Sequence, residues 1–310
     1  MTLKFWLGVV SLSLSLSAIL LNFLIFFPVF RLAFISRKSS IYIIAFFNII
    51  SDMIQQSSCI QLSTSIIADR YILTESRTSQ LHIFFGLIFI IGWYMESLIQ
   101  IVMAVNRLVV IIWNKHDIFT FKTTMIIFMV IIISCTFNAV STQYLFPCCA
   151  FITDHATMSF GFIASDGIFS YSNLMIFSHD CVCTSISTAC YVAVFRFIQK
   201  SNAYAVNSRS RRRQDLRYLL QFVFISVFYV FTWVSFEILP HIVPDGQIEW
   251  FLLCPIFSIL NCTSNSIIYI CVNVDVQRSL RTMFCLGKKP KKSKTMKVQG
   301  TGAVTASTSC

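Results

Sequence analysis

Two carboxylates, Asp52 and Glu96, stand deep inside long apolar runs. An ionisable side chain at the centre of a membrane-spanning helix costs at least ~2.5 kcal/mol on insertion scales, so such a residue marks function by default. Asn261 and Asn265, four residues apart, share one face of a third run. Asn22 falls at similar depth in a fourth. At ~1.5 Å per helical residue, both carboxylates lie roughly 16 to 18 Å from the inner ends of their runs. Two carboxylates within reach of each other cannot both ionise unpaired. The expected chemistry is therefore a proton or a monovalent cation such as sodium shared by Asp52 and Glu96, with the amides as neutral ligands. The plainer reading is an interhelical hydrogen-bond cluster worth ~0.6 kcal/mol per pair.

A second set gathers toward the opposite ends of the runs: His179 and Asp180, then Glu237, with Trp93, Tyr94 and Trp233 at comparable height and His241 and Asp245 beyond them. Polar residues at a membrane boundary ordinarily just solvate the interface. Convergent aromatic and polar groups also form the mouth and walls of a small-molecule pocket, and that is the binding site expected here. A third position, Arg107 in Asn106-Arg107-Leu108, closes the inner end of its run. Its guanidinium either snorkels to lipid phosphate or exchanges interhelical bonds as a switch. No metal-ligand spacing such as His-Glu-x-x-His, no phosphate loop and no nucleophile elbow occurs, so an enzyme is not expected.

Seven apolar runs must position these groups: residues 5–30, 41–67, 81–105, 123–146, 173–195, 218–239 and 248–272. Each reaches the ~20 residues that a spanning helix needs. With 310 residues and a mean hydropathy of +0.74, the expectation is one all-α, integral-membrane, seven-helix bundle. Of the 24 Lys and Arg residues, 21 fall in the first, third and fifth loops and the tail, which places those segments in the cytosol and the N-terminus outside. The net charge of +11 is thereby topology, and nucleic acid is not an expected partner. The first run is followed by Arg31, Arg37 and Lys38 without a persuasive cleavage site, and reads as a retained helix rather than a signal peptide.

Cys59, Cys135, Cys190, Cys254, Cys262 and Cys271 lie within spans as packing residues. Cys148 and Cys149, with Cys181 and Cys183 as further candidates, are placed for an oxidised bridge on the outer side. After the seventh run, residues 275–284 carry Val276, Leu280, Met283 and Phe284 at helical spacing, the pattern of a short amphipathic helix on the inner leaflet. Cys285 beside it is a candidate for palmitoylation, with an unmodified thiol the alternative. The receptor domain is expected over 1–285, and a basic, Ser/Thr-containing disordered tail over 286–310. Its lysines would attract anionic lipid at ~1 kcal/mol each.

These landmarks resemble a rhodopsin-type G-protein-coupled receptor. The resemblance rests on Asn22, Ser51-Asp52, Asn106-Arg107 and Asn265-Ser266-Ile267-Ile268-Tyr269. It implies that Asp52, Asn261 and Asn265 contribute to an ion or water pocket and that Arg107 and Tyr269 belong to an activation switch. Within that superfamily the chain is similar to the class X nematode chemosensory serpentine receptors. The stretches that carry this are Phe146-Pro147-Cys148-Cys149-Ala150-Phe151, the helix around Asp180 running on to residues 194–202, and Arg211-Arg212-Arg213 before the sixth run. The resemblance implies a receptor of the plasma membrane, in the sensory cilium, that detects a small environmental molecule. It also implies a heterotrimeric G protein docking near Arg107, Arg209, Arg211, Arg212 and Arg213. For the basic run, topology and lipid contact are an equal alternative.

The chain departs from the superfamily pattern at several points. Asn106 replaces an acidic residue, Leu108 an aromatic and Ser266 a proline; Glu96 stands where relatives carry a small polar residue; and no Cys caps the outer end of the third run. The alternative function is a ligand-gated cation channel or a transporter using the mid-membrane carboxylates. Against it stand the odd number of spans, the absence of a repeat, and a single proline, Pro255, deep in a span. A retinal protein is excluded because the seventh run has no Lys.

Overall fold

The computed structural model describes residues 2–72, 76–115, 117–145, 149–163, 170–202, 209–244 and 246–284, without the side chains of 201–223, 225 and 284. The candidate lipidation site Cys285, Cys148, Asp245, the tail 286–310 and the side chains of Arg211, Arg212 and Arg213 lie outside that description.

Helices α1 (Leu3–Phe30), α2 (Ser40–Ala68), α3 (Gln80–Ile111), α4 (Phe121–Val140), α5 (Tyr171–Asn202), α6 (Arg209–Ile242) and α7 (Leu253–Val272) form the expected bundle. Among the described residues six helices are long and apolar enough to cross a membrane, and α6 adds the apolar stretch Ser226–Ile242. Side-chain oxygens set the starts of α2, α3 and α4: Ser39 accepts from the Ile41 amide, Ser79 from His82 and Thr120 from Thr123. At its outer end α2 stops on Asp69, which takes the left-handed conformation at φ 51° and pairs with Lys4 at 2.5 Å.

The helices divide by what covers them. The most apolar windows of α2, α3 and α7 are 67%, 67% and 61% buried, whereas those of α1, α4 and α5 are 28%, 28% and 22% buried. Leu20, Ile133 and Phe137 are among the exposed apolar side chains of that outer ring, a surface suited to lipid. The expected polar layer thus rests on the three best-covered helices. Phe47 stacks on Phe128 at 4.2 Å, fixing α2 against α4.

Pro255 differs from the sequence reading. It does not interrupt a helix interior, because Ile248–Leu252 forms a 3-10 turn and α7 begins at Leu253. In the first turn a missing N–H leaves no bond broken, so the ring is accommodated. Pro28, by contrast, lies inside α1, and a π-turn over Arg31–Ile35 follows it. After α7 the amphipathic helix is present as α8 (Val274–Phe284). The Asn273 side-chain oxygen accepts from the Asp275 and Val276 amides to start it. Tyr42 donates to Asp275 at 2.9 Å and Lys38 pairs with the same carboxylate at 2.6 Å, tying α8 to the inner end of α2.

The second outer loop contains a hairpin that the sequence reading left out. Strands β1 (Phe151–Asp154) and β2 (Ser159–Phe162) pair antiparallel, Phe151 opposite Phe162 and Asp154 opposite Ser159. Gln143, in a π-turn that extends α4, holds its start. The Gln143 amide donates to the Phe151 carbonyl at 2.8 Å, and its oxygen accepts the Phe151 N–H at 3.0 Å. His82 on α3 bonds the Thr153 carbonyl at 2.6 Å, and the Thr153 hydroxyl donates to Gln61 on α2 at 2.8 Å. Gly86 lets α3 and the strand approach: a Cβ there would lie 2.0 Å from the Phe151 carbonyl oxygen. Hydrogen bonds and one glycine thus fix this segment to α3, where no cysteine is available. Cys149 is disulfide-bonded, while Cys181 and Cys183 are free, so that pair does not form a bridge.

Candidate functional site

Asp52 and Glu96 face each other across the α2–α3 interface. Their carboxylate oxygens and the Cys262 sulfur all lie within 4.8 Å of one another, and both acidic side chains are wholly buried. Glu96 accepts from Gln55 at 2.7 Å and from Asn261 at 2.5 Å. Asp52 accepts from Asn265 at 2.9 Å and from Asn48 at 3.2 Å. Each asparagine of α7 therefore serves a different carboxylate. Asn22 joins the layer through Ser266, whose hydroxyl donates to its side-chain oxygen at 2.5 Å. The serine that replaces a proline in the α7 motif thus links α7 to α1.

Several oxygens in this layer remain without a hydrogen-bond partner among the described residues: Asp52 Oδ1, Asn261 Oδ1, Asn265 Oδ1 and Gln55 Oε1. In this fully buried cluster the unpartnered acceptors outnumber the unpartnered donors among the described residues. Sequence reading passed over Gln55 and Asn48. The signal was available, since Gln55 lies three residues after Asp52 and Asn48 four before, both on its face.

The outer set resolves into a cleft and a neighbouring network. Trp93, Asp180, Trp233 and Glu237 line one cleft with about 440 Å³ of atom-free space, part of it continuous with the exterior. Phe89 and Ile90 of α3, Ile176 of α5, Thr232 and Phe236 of α6 and Cys254 of α7 complete its walls. Phe151 and Phe160 come from the hairpin and form its roof, with Phe160 4.3 Å from the Phe89 ring. Asp180 is buried, which corrects the expectation of interfacial solvation for it. It accepts from the Trp93 indole N–H, 3.1 Å from each oxygen, and from the Tyr229 hydroxyl at 2.6 Å. Tyr229 stacks on Trp93 at 5.0 Å and is a partner that sequence reading missed.

Tyr94 and His179 do not line that cleft. The Tyr94 hydroxyl pairs with Thr142 of the π-turn after α4 at 2.8 Å. His179 packs edge-on to the Tyr94 ring and pairs with Ser97 at 2.7 Å. These two side chains stitch α3 to its neighbours behind the cleft wall.

At the inner end Arg107 is 9% exposed and Tyr269 7% exposed. The Arg107 guanidinium acts electrostatically on the Tyr191 hydroxyl of α5 and on that of Tyr269 of α7. An arginine that merely snorkelled to lipid would be turned outward and exposed. This one is drawn between three helices.

Residues 12–273 match the family described as serpentine type 7TM GPCR chemoreceptor Srx. Among solved structures, squid rhodopsin is similar in fold, with a TM-score of 0.72 over 91% of this chain and 85% of its own at 13% identity. No curated protein sequence matches the chain.

Proposed function

The chain belongs to the serpentine 7TM GPCR chemoreceptor family Srx, and from that premise we propose that it binds a small environmental molecule in the cleft beneath the hairpin and activates a heterotrimeric G protein. It acts in the plasma membrane, in the sensory cilium, and its basic inner surface contacts anionic lipid. One observation carries the reading. Trp93, Glu96, Gln100, Met103 and Arg107 recur at helical spacing and are all buried. A single stripe of α3 therefore runs from the cleft, through the carboxylate pair, to the inner arginine.

A ligand shifts such a bundle only through its different affinity for two arrangements. Contact with Trp93 bears on Asp180 directly, through the indole bond, and on Glu96 one helical turn inward. There Gln55 and Asn261 hold Glu96, so rotation or translation of α3 changes the spacing of the two carboxylates. A proton or sodium ion shared by Asp52 and Glu96 would stabilise the close arrangement, and Asn261 and Asn265 would orient the two acids. At the inner end the same displacement alters how Arg107 meets Tyr191 and Tyr269, which opens the surface that the G protein reads.

The test is second-messenger output from cells expressing wild type and Arg107→Ala at matched surface levels, challenged with a broad small-molecule panel. A ligand-dependent signal that disappears in Arg107→Ala supports the reading. A membrane current persisting without G protein would replace it with the channel alternative.

A further inference from the structure

Among the described residues, the cleft is lined by two acidic side chains and by no basic one. The acidic pair is Asp180 and Glu237, and no Lys, Arg or His joins them among the described residues. The remaining walls are mostly aromatic. We propose that the ligand is a small organic cation, an aryl- or alkylammonium whose charge sits between Asp180 and Glu237 while its apolar body lies among Phe89, Trp93 and Trp233. This proposal rests on the receptor reading for the location of the site and goes beyond it in assigning the ligand class.

Three features support it. First, Asp180 is 1% exposed and its bonding partners, Trp93 and Tyr229, are neutral donors. Neutral donors leave a buried carboxylate without the counter-charge that makes such a group stable, and a bound cation supplies it. Second, Glu237 accepts one long bond, 3.4 Å from Asn173, and is half-buried at the same cleft. It is therefore available to a ligand. Third, the faces of aromatic rings attract cations through their quadrupoles, most strongly for indole. Trp233 lines the cleft, and its indole N–H is buried without a partner among the described residues. That N–H would face an acceptor atom on the same ligand.

An anion would meet two carboxylates with no compensating donor but indole and hydroxyl groups. A neutral ligand would leave Asp180 as it stands. Of the three, only a cationic ligand gains from both carboxylates of the lining.

The experiment uses the full chain in lipid nanodiscs and follows thermal unfolding with three probes of one skeleton: phenethylamine, phenethyl alcohol and phenylacetate. Ligands that bind the folded state raise the unfolding temperature in a saturable way. The amine is expected to bind at least ~10-fold more tightly than the alcohol, as one charge-assisted contact implies, with phenylacetate without effect. Asp180→Asn and Glu237→Gln should each bring the amine close to the alcohol. Glu237→Gln guards against misfolding, since that side chain is only half-buried. The proposal is overturned if the alcohol or the acid matches the amine, if the amine effect survives both substitutions, or if no probe raises the unfolding temperature. No G protein is present in this assay. Failure here therefore leaves the coupling reading to be judged separately by Arg107→Ala.

Discussion

A carboxylate oxygen of Asp52 on α2 lies within 4.8 Å of one on Glu96 of α3, with both side chains sealed from solvent. Among the described residues their hydrogen-bond donors are amides of α2 and α7, not Lys or Arg. At this separation in a low-dielectric interior, repulsion between two charges is too large to leave uncompensated.

Glu96→Gln removes one charge and keeps the shape. Unfolding of the wild type in detergent is expected to respond to exchange of sodium for choline or to a change of pH, because two close buried carboxyl groups need a shared proton or cation. Glu96→Gln should flatten that response. Insensitivity of both proteins would sink the shared proton or cation.

The hairpin roof offers a direct mechanical test. Gly86→Ala places a methyl group against the Phe151 carbonyl, 2.0 Å away before relaxation, so α3 and β1 must separate. Overpacking of this kind costs ~1–3 kcal/mol. Amide hydrogen exchange over residues 151–162 should accelerate while the inner halves of the helices stay protected.

Gln143→Leu attacks the same contact from the α4 side. It strands the buried N–H and carbonyl of Phe151, at ~1–3 kcal/mol for each unsatisfied group. Ligand affinity should fall with little change in surface expression. An unchanged affinity would detach the hairpin from the binding site.

Ser266→Ala breaks the bond to Asn22 and leaves that side-chain oxygen without its donor. Hydrogen bonds between spanning helices average ~0.6 kcal/mol and reach ~1.7. A loss in that range is expected from reversible unfolding in detergent. A double-mutant cycle with Asn22→Ala would show the two losses to be one.

Docking of α8 should depend on acid. The hydrogen bond and charge of Lys38 hold the Asp275 carboxyl below its ordinary value of 3.8, against a smaller opposing effect of burial. A depressed carboxylate contributes stability that is fully present above 3.8 and is lost as pH falls through the lower, folded value. A spin-label distance from α8 to the inner end of α2 should hold at neutral pH and broaden in strong acid. In Lys38→Met the contrast between the two conditions should shrink.

Much of the architecture was legible because lipid imposes a simple rule: a run of ~20 apolar residues has one stable outcome. The carboxylates stood out for the same reason, as exceptions that the solvent penalises. Gln55, Asn48 and Tyr229 were passed over because a neutral polar side chain costs less to bury than a carboxylate and stands out only when its face is traced, although they hold Glu96, Asp52 and Asp180 in place. Tyr94 and His179 were assigned to the cleft by height along their helices. Height does not settle azimuth, and both turn toward Thr142 and Ser97 instead. The hairpin between residues 151 and 162 was invisible for a different reason: the bonds that fasten it come from Gln61, His82 and Gln143 on other elements, and no local pattern announces them.

Gln143 grips the main chain of residue 151, whereas the side chain of that residue faces the cleft. Attachment and cleft shape are therefore separated within a single amino acid. Exchanging Phe151 for another side chain would reshape the space beneath the roof while the fastening persists.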